Sequence, residues 1–369
     1  MKITKEKLIN DLLIAFCDAK KHKSKKKCVI DFQSNLMNNL DELASDLINH
    51  TYKQRQSISF IVNHPKKREV FASNFRDRVV QHLFFNYTHK LFENTFIADS
   101  YACIKKRGTH YGIERLRKHI LQESQNYTKE CYCLKLDVRA YFMNINRNIL
   151  LDIVKKQLDK FSKIRNDLDF DFIKYIAEVI IKQNPLENTR FLGKPEDYEG
   201  LPKSKTLAGS PPECGLHIGN LTSQMFSNVY MNLFDQYMKR TLKCKHYGRY
   251  VDDSYVVSCD KEFLHYVIKE ARKFLKDELK LELHEGKTSI KNVKYGVEFL
   301  GAYIKPFRTY ISNQSFERMK KSSIEYESNE KKRLSIISKL GIMSHYKSYN
   351  KRMELVNYII ENTNKNRGL

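Results

Sequence analysis

Two short stretches with aspartate where a strand should end constrain the fold of this chain most. The stretch CYCLKLDVRAYF, residues 131–142, has the period-two pattern of a β-strand and stops at Asp137. The stretch HYGRYVDDSYVVS, residues 246–258, places Asp252 and Asp253 between two runs of strand-forming residues. Because aspartate is rare in strand interiors and common in turns, this stretch predicts a hairpin with the acid pair at its tip. Taken alone, the pair is explained most simply as a solvated turn.

The rest of the sequence alternates between helical and strand patterns. Apolar residues at three- and four-residue spacing predict helices in residues 1 to about 60, 75–92, 112–124, 146–158, after Gly219 and in 261–281. Residues 58–72 predict two strands around a His64-Pro65 turn, and residues 294–306 predict a second strand pair. Residues 183–218 are rich in proline and predict an irregular loop, whereas the chain from about 306 is polar, basic and predicted to be helical. This mixture predicts an α+β fold with a palm-like sheet.

The charge of the chain points to a polyanionic partner. Lys and Arg number 66 against 43 Asp and Glu, which gives a formal net charge of +23 over 369 residues. An excess of this size favours association with nucleic acid, although composition alone does not identify a partner.

Cysteine spacing and the absence of long apolar runs predict a cytoplasmic protein. The 8 cysteines form no C-x-x-C pair and no run with zinc-ligand spacing, and Cys131 and Cys133, two apart in an alternating run, are expected to be buried free thiols and not a redox or metal pair. The first residues lack the pattern of a signal peptide, and no apolar run has the length of a membrane span. We therefore expect no membrane association.

The three aspartates suit a site for divalent cations. A strand-end aspartate beside a hairpin-tip pair would supply oxygen ligands without Cys or His, a set that favours Mg²⁺ or Mn²⁺ over zinc. In two-metal phosphoryl transfer one ion activates the attacking oxygen and the other holds the leaving group. Sequence spacing does not show that Asp137 and Asp252 meet, so surface turn aspartates remain the alternative at this point.

Six motifs in a fixed order resemble those of reverse transcriptases. They are KKREVFASNFRDRVVQHLFFN (fingers), LKLDVRAYF (first catalytic motif), GLHIGNLTSQMFSNVYMNLFD (helix), YVDD (second catalytic motif), LHEGKTSI (lysine motif) and EFLGAYI (primer grip). Together they cover about residues 60 to 305. Tyr-x-Asp-Asp alone would be weak evidence, but the ordered set is specific.

The resemblance narrows to one class of bacterial and phage enzymes. DSYACIKKRGTHYGIERL, YEGLPKSKTLA and IGNLTSQ are most similar to reverse transcriptases of diversity-generating retroelements. The class implies error-prone copying of a template-repeat RNA into cDNA from a primer and dNTPs, with a small basic accessory protein as partner. Defence-associated, retron and intron reverse transcriptases share several of the motifs and remain alternatives. A catalytically inactive palm that serves as an RNA-binding scaffold is disfavoured because all three aspartates are present.

The resemblance also implies an architecture. It is the α+β right-hand polymerase fold, with a helical basic extension in residues 1–58, fingers and palm in 59–305, and a short basic helical thumb in 306–369.

Carried over residue by residue, the resemblance assigns the chemistry to the palm. Asp137 and Asp252 would bind two Mg²⁺ ions (Mn²⁺ is possible), with the main-chain carbonyl of Val138 and a weaker contribution from Asp253. Lys287 matches a lysine that can protonate pyrophosphate as it leaves, although it is also explained as one of many surface lysines.

Further positions would bind the nucleotide. Phe142 occupies the steric-gate position that rejects a 2′-hydroxyl, or else is a core phenylalanine, whereas its neighbour Tyr141 is expected to pack in the core. Arg68 matches the position of a residue that grips the triphosphate. Arginine suits this role because its planar guanidinium donates two hydrogen bonds to phosphate oxygens. Lys66 and Lys67 share that role or form a solvated basic turn.

The helix motif departs from the retroviral pattern just before Gly219. Ile218 stands where those enzymes have glutamine, which motivates the hypothesis that Ile218 loosens base selection. The sequence offers no physical explanation for His217 at the preceding position. Gln224 and Ser223, one turn into the helix, approach the template or the base, or simply pack.

The last motif implies contacts with the primer. Phe299, Leu300 and Gly301 would form the primer grip that supports the 3′ end. The basic tail would contact the duplex backbone, where contacts carry little sequence information.

Overall fold

The computed structural model describes residues 2–63, 67–184, 186–324 and 329–365. The predicted His64-Pro65 turn and Lys66 lie outside these ranges. Within them, the strands are β1 (Ser57–Val62), β2 (Arg68–Ala72), β3 (Tyr132–Asp137), β4 (Thr189–Phe191), β5 (His246–Tyr250), β6 (Asp253–Ser258), β7 (Ser289–Asn292), β8 (Val297–Phe299), β9 (Ala302–Lys305) and β10 (Arg308–Ile311).

The α-helices of the described residues precede, separate and follow these strands. They are α1 (Lys5–Lys20), α2 (Lys27–Ser34), α3 (Leu36–Ile48), α4 (Phe75–Glu93), α5 (Thr109–Glu123), α6 (Tyr141–Asn144), α7 (Arg147–Ser162), α8 (Phe170–Lys182), α9 (Leu221–Gln236), α10 (Lys261–Leu279), α11 (Asn313–Lys321), α12 (Asn329–Ser344) and α13 (Tyr349–Lys365). Within the described ranges, every helix is too short or too polar to span a bilayer.

The palm sheet has the order β5-β6-β3-β7 and is antiparallel throughout. Alternation along β3 buries both faces of the strand. Leu134 and Leu136 join the main core with α9 and α10, whereas Cys133 joins a second cluster with Tyr255 of β6. Asp137 lies on the Cys133 side because side chains two positions apart share a face. The palm sheet is therefore held between two apolar layers, with its acids at one end.

The N-terminal helices share the core of the predicted fingers and palm. Leu8 and Leu12 of α1 are fully buried and belong to the same cluster as Val79 and Leu83 of α4. Thr4 caps α1 by accepting a hydrogen bond from the Lys7 amide, which starts the helix at the position that its apolar spacing requires. The predicted helical character of this region is thus observed, but it has no core of its own.

The region predicted as an irregular loop contains a short strand. In the fingers sheet, ordered β2-β1-β4, strand β4 runs parallel to β1. Three residues are too short for a recognisable alternation, and the flanking prolines dominate the local pattern. Helix α8, which precedes the loop, was not predicted from the sequence either.

The tail predicted to be helical from about 306 begins instead with a strand. β10 pairs with β9 and completes the antiparallel grip sheet, ordered β10-β9-β8. Pro306 and Phe307 form the two-residue connection, and Phe307 has a φ of 60°. Proline followed by a positive φ is typical of a type II turn. Helices α11–α13 then pack around a separate small core formed by Ile311, Phe316, Met343 and Leu355.

Candidate active site of the palm

The acid pair lies on a tight and unusual turn. Tyr250 pairs with Asp253, so Val251 and Asp252 form a two-residue loop between β5 and β6. Val251 has a φ of 57°, and Asp252 is not among the residues of positive φ. A positive φ at the first loop position alone is the pattern of a type II′ turn, a conformation that β-branched residues avoid. The predicted hairpin is therefore observed, with Asp252 in the turn and Asp253 opening β6.

The register of β3 and β6 brings the predicted acids together. Asp137 and Asp253 are directly opposite each other in the ladder, and opposed residues present their side chains to the same face. Burial raises the pKa of Asp252, and the negative charge of Asp137 raises it further. Burial also raises the pKa of Asp253 to about 6, with the charges of Asp252 and Asp137 acting in the same direction and Lys135 opposing them. The three carboxylates are therefore close enough to interact electrostatically.

Two lysines approach these carboxylates. Lys287 Nζ lies 2.7 Å from Asp137 Oδ2, and Lys135 Nζ lies 3.8 Å from Asp253 Oδ1. Lys287, the residue predicted to protonate pyrophosphate, therefore lies at the acids. Its side chain is 57% exposed and is free to change its rotamer. Lys135 was not singled out from the sequence, although its place two residues before Asp137 puts it on the same face of β3.

The donor chemistry fits a hard divalent cation. Within the described ranges, no group of three or more His, Cys, Asp or Glu side chains is arranged to hold a metal ion. The buried Asp253 Oδ1 nevertheless accepts no hydrogen bond from any described residue. Crowded carboxylates with raised pKa values are stabilised by bound cations, and oxygen ligands suit Mg²⁺ or Mn²⁺. Val138 is buried and bridges to Leu283, which continues β3 past the acids.

Among the predicted triphosphate-gripping residues, Arg68 acts electrostatically on the acids. Its positive charge lowers the pKa of Asp252, against the larger effects of burial and of Asp137. Arg68 is exposed at the start of β2. Lys67 instead donates from Nζ to the Glu199 carbonyl at 2.6 Å, which ties the fingers hairpin to the loop that follows β4.

Phe142 lies on the one-turn helix α6, five positions after Asp137. Its ring is half-buried and meets the Tyr141 ring edge-on, with 5.4 Å between the ring centroids. Tyr141 is buried and donates from its hydroxyl to the Ser227 carbonyl at 2.6 Å. Tyr141 thus anchors α6 to α9, and Phe142 is left at the edge of the core.

The loop before α9 is packed against the fingers. The Phe71 amide donates to the Ile218 carbonyl at 2.8 Å. Gly219 has a φ of 122°, and a Cβ there would lie 2.6 Å from the Phe71 carbonyl oxygen, so only glycine permits this approach. His217 is buried against the Phe71 ring. Ile218 is half-buried beside Phe71, so it contributes shape to this joint and no polar group.

The first turn of α9 divides its predicted functional residues. Gln224 is exposed and accepts from the Cys103 thiol at 3.4 Å, whereas Ser223 is buried. Gln224 is therefore available to a ligand and Ser223 is a packing residue.

The predicted primer grip is a two-residue turn. Phe299 pairs with Ala302, and the loop residues Leu300 and Gly301 have φ values of 49° and 81°. Two positive φ values define a type I′ hairpin. Phe299 is fully buried beneath it and contacts Tyr255 edge-on. The turn is thereby held on the layer that also lies under the acids.

Comparison with known proteins identifies the family. Residues 63–304 match the family described as reverse transcriptase (RNA-dependent DNA polymerase). The chain belongs to the reverse transcriptase family. The predicted α+β right-hand polymerase fold is thereby confirmed, with the palm sheet at its centre.

Individual relatives are distant. Protein YkfC of Escherichia coli (strain K12) is 23% identical over 268 residues, 64% of this chain and 62% of that protein. The chain thus spans less than two thirds of the curated relative that it matches. Apo telomerase from Candida tropicalis is similar at a TM-score of 0.48 with 14% identity, covering 88% of this chain and 66% of that chain. Telomerase of the same organism in complex with a TWJ fragment of telomeric RNA has a TM-score of 0.46 and 13% identity, covering 89% and 57%.

Sequence reasoning missed a buried ion pair behind the acids. Arg249, two residues before Val251, and Asp235 of α9 both have fully buried side chains. A signal was present in each case: Asp235 is the single charged residue in α9, and Arg249 stands inside the strand pattern of β5. Such residues are almost never fully buried unless they are paired.

Proposed function

We propose that this chain is an RNA-directed DNA polymerase that transfers dNTPs onto a primer 3′-hydroxyl at Asp137 and Asp252. The observation that carries the proposal is the convergence of Asp137, Asp252 and Asp253 from β3 and the β5–β6 turn. Template RNA, cDNA or another primer, and dNTPs are the ligands that this function requires. The net charge of +23 supports a nucleic-acid partner.

Asp137 and Asp252 would hold two Mg²⁺ ions, or Mn²⁺, with the Val138 carbonyl and with weaker support from Asp253. When bound, such ions activate the primer hydroxyl and neutralise charge on the leaving group. The Lys287 ammonium donates to Asp137 Oδ2, so a cation that bound this oxygen would displace it. A displaced Lys287 would then be free to give its proton to the departing pyrophosphate.

The remaining side chains orient the nucleotide. Arg68, whose charge lowers the pKa of Asp252, would donate to the triphosphate from the fingers, with Lys67 as a weaker contributor because the Glu199 carbonyl holds its ammonium. Phe142 would exclude a 2′-hydroxyl, and Ile218, Gly219 and exposed Gln224 would shape the nucleotide pocket. Leu300 and Gly301 on Phe299 would support the primer end.

Primer extension tests the proposal directly. On an RNA template with dNTPs and Mg²⁺, we expect DNA synthesis by the wild-type chain and none by Asp252→Ala. Asp171→Ala is the matched control, because Asp171 lies on α8 with a side chain that is 94% exposed. Equal DNA synthesis by wild type and Asp252→Ala would contradict the proposal.

We further propose the diversity-generating class, with error-prone synthesis from a template-repeat RNA and a small basic accessory protein as partner. The motifs DSYACIKKRGTHYG, YEGLPKSKTLA and IGNLTSQ support it. The alternatives are defence-associated, retron-like or intron-like reverse transcriptases. A template repeat and a near-identical variable repeat in the neighbouring DNA are expected; their absence would favour an alternative class.

Ile218 is the residue that we assign to relaxed base selection. Its half-buried apolar side chain offers the incoming base no hydrogen bond. Sequencing of cDNA made by Ile218→Gln should show fewer errors opposite template adenine than wild-type cDNA. An unchanged error spectrum would remove this residue from the fidelity proposal.

A further inference from the structure

The turn that carries Asp252 adopts a conformation that its own sequence disfavours. Val251 has a φ of 57° although it is β-branched, and glycine or asparagine is the usual residue at such a position. Residues held in this region persist only where surrounding contacts enforce the conformation. The surroundings of the turn, including the main core against which Val251 packs, must therefore hold this conformation.

Arg249 supplies the polar contact to the turn. Its NH1 group donates to the Val251 carbonyl at 2.8 Å, which closes the turn from inside the protein. The backbone of Arg249 is held as well, because its carbonyl accepts from the Tyr101 amide and its amide donates to the Asp99 carbonyl. The side chain is fully buried, so water does not compete for the Val251 carbonyl from that side.

A guanidinium has five N–H groups, and in Arg249 each of them has an acceptor. Asp235 accepts from Nε at 2.7 Å and from NH2 at 2.6 Å. NH1 also reaches Asn228 Oδ1 at 3.3 Å, and NH2 reaches Ser100 Oγ at 3.4 Å. With all donors committed, the guanidinium has one orientation, and the group that binds Val251 does not rotate.

Asp235 extends this arrangement to the nucleotide side of the palm. Its Oδ1 also accepts from the Tyr247 hydroxyl at 2.6 Å. Asp235 and Asn228 both lie on α9, whose first turn carries Gln224 and follows Gly219. The guanidinium thus joins the helix behind the nucleotide pocket to the turn that carries Asp252.

We propose that Arg249 is a positioning residue of the polymerase: its bond to the Val251 carbonyl, fixed by Asp235, holds the turn so that Asp252 faces Asp137. The proposal rests on the proposed function, because it assigns how that site is aligned. Arg249 does not touch substrate, so its loss reduces turnover through misalignment of Asp252 and leaves dNTP binding by Arg68 in place.

Arg249→Lys is the decisive variant because lysine keeps the charge but cannot satisfy Asp235 and Val251 in the same planar geometry. We expect kcat per folded molecule in primer extension to fall roughly 10- to 100-fold, the range expected for a lost charged hydrogen bond, with the KM for dNTP changed by less than about threefold. Arg76→Lys is the matched control, since Arg76 is also a buried arginine paired with an aspartate, Asp46, but lies on α4. It should lower the Tm and leave kcat per folded molecule unchanged.

Glycine at position 251 separates positioning from general stability. Glycine adopts a positive φ without help from the guanidinium, so the double variant Arg249→Lys/Val251→Gly should have a higher kcat than Arg249→Lys. If Arg249→Lys acted only through lost packing, Val251→Gly would not restore kcat. If Arg249→Lys does not fold, Asn228→Ser loosens the guanidinium without leaving a charge unpaired. It should give a smaller loss of kcat that Val251→Gly also recovers.

The outcomes distinguish the inference from the proposed function. Wild-type kcat in folded Arg249→Lys, or a loss that Val251→Gly leaves unrepaired in both backgrounds, would overturn the positioning role alone. A wild-type chain without Asp252-dependent DNA synthesis would overturn the proposed function and this inference with it. A fall in kcat, an unchanged KM and recovery by glycine would establish the role.

Discussion

Position 248 shows how one missing atom group shapes the palm. A Cβ on Gly248 would lie 2.3 Å from the Tyr101 hydroxyl oxygen and 2.7 Å from that of Tyr255. Those two hydroxyls are hydrogen-bonded to each other at 2.8 Å in the buried layer under the acids. Glycine is therefore required here for space, not for an unusual φ.

We predict that Gly248→Ala destabilises the chain by roughly 1–3 kcal/mol, the usual cost of overpacking a rigid core. Gly341→Ala is the matched control, because a Cβ at this position in α12 meets nothing within 4 Å. It should stabilise the chain by roughly 0.5–1 kcal/mol through helix propensity. Urea denaturation measures both free energies of unfolding, and equal effects of the two variants would contradict the steric argument.

Phe142 is predicted to select deoxyribonucleotides by size. Phe142→Ala should raise kcat/KM for rNTPs relative to dNTPs by roughly 10- to 100-fold, the range that a lost steric contact can give. Phe85→Ala is a suitable control, since Phe85 is also half-buried at the core edge but lies on α4. A nucleotide preference that Phe142→Ala leaves unchanged would make Phe142 a packing residue only.

Between α5 and the palm sheet, a buried hydrogen-bonded chain fixes the protonation of His119. Arg115 NH2 lies 3.1 Å from His119 Nε2, and a guanidinium only donates, so Nε2 accepts. Nδ1 then carries the proton and donates to the Tyr255 hydroxyl at 3.0 Å. The chain continues through the Tyr101 hydroxyl to Asp99, which also pairs with Arg115. His119 is therefore neutral within this arrangement.

Burial lowers the pKa of His119 to about 4, with Asp99 opposing the shift and Arg115 and His246 adding to it. Because the folded pKa lies below the unfolded value of about 6.5, this contribution to stability is complete above about pH 6.5 and is lost as the pH falls towards 4. We predict a loss of about 3 kcal/mol over that window, as an order of magnitude, which His119→Gln should largely abolish. His265→Gln, an exposed position on α10, should keep the wild-type pH profile of the free energy of unfolding. Parallel profiles for wild type and His119→Gln would contradict the assignment.

Elements defined by local pattern were predictable, and those defined by distant partners were not. The alternation through Asp137 and the turn at Asp252 are encoded in adjacent residues, so β3, β5 and β6 followed from the sequence. Strand β4 is defined by its pairing with β1, which is distant in the sequence, and β10 is defined by its pairing with β9. The site divides in the same way: motif resemblance pointed to Arg68, Lys287 and the acids. It did not reveal Arg249 with Asp235, because their burial depends on how α9 covers β5.

At the scale of the whole molecule, the net charge of +23 should dominate binding to nucleic acid. Neutralising phosphates releases counterions, so affinity falls with salt at a slope of about −0.9 per contact for duplex DNA. With only about four contacts, the affinity for an RNA–DNA duplex should fall roughly a hundredfold between about 50 and 200 mM salt. Fluorescence anisotropy would measure this, and a duplex of scrambled sequence should give the same slope. A salt-independent affinity would contradict backbone recognition.

Strand β10 links the helices of the predicted thumb to the predicted primer grip through hydrogen bonds on both sides. The Lys347 amide, after α12, donates to the Thr309 carbonyl of β10 at 2.9 Å, and Lys351 of α13 donates to the Ile311 carbonyl at 3.3 Å. β10 is in turn zipped to β9, which ends the turn at Leu300 and Gly301. If the chain extends a primer as proposed, a displacement of the predicted thumb by the product duplex would therefore pull on the turn at Leu300 and Gly301. Each nucleotide addition would then change the force on the predicted primer grip.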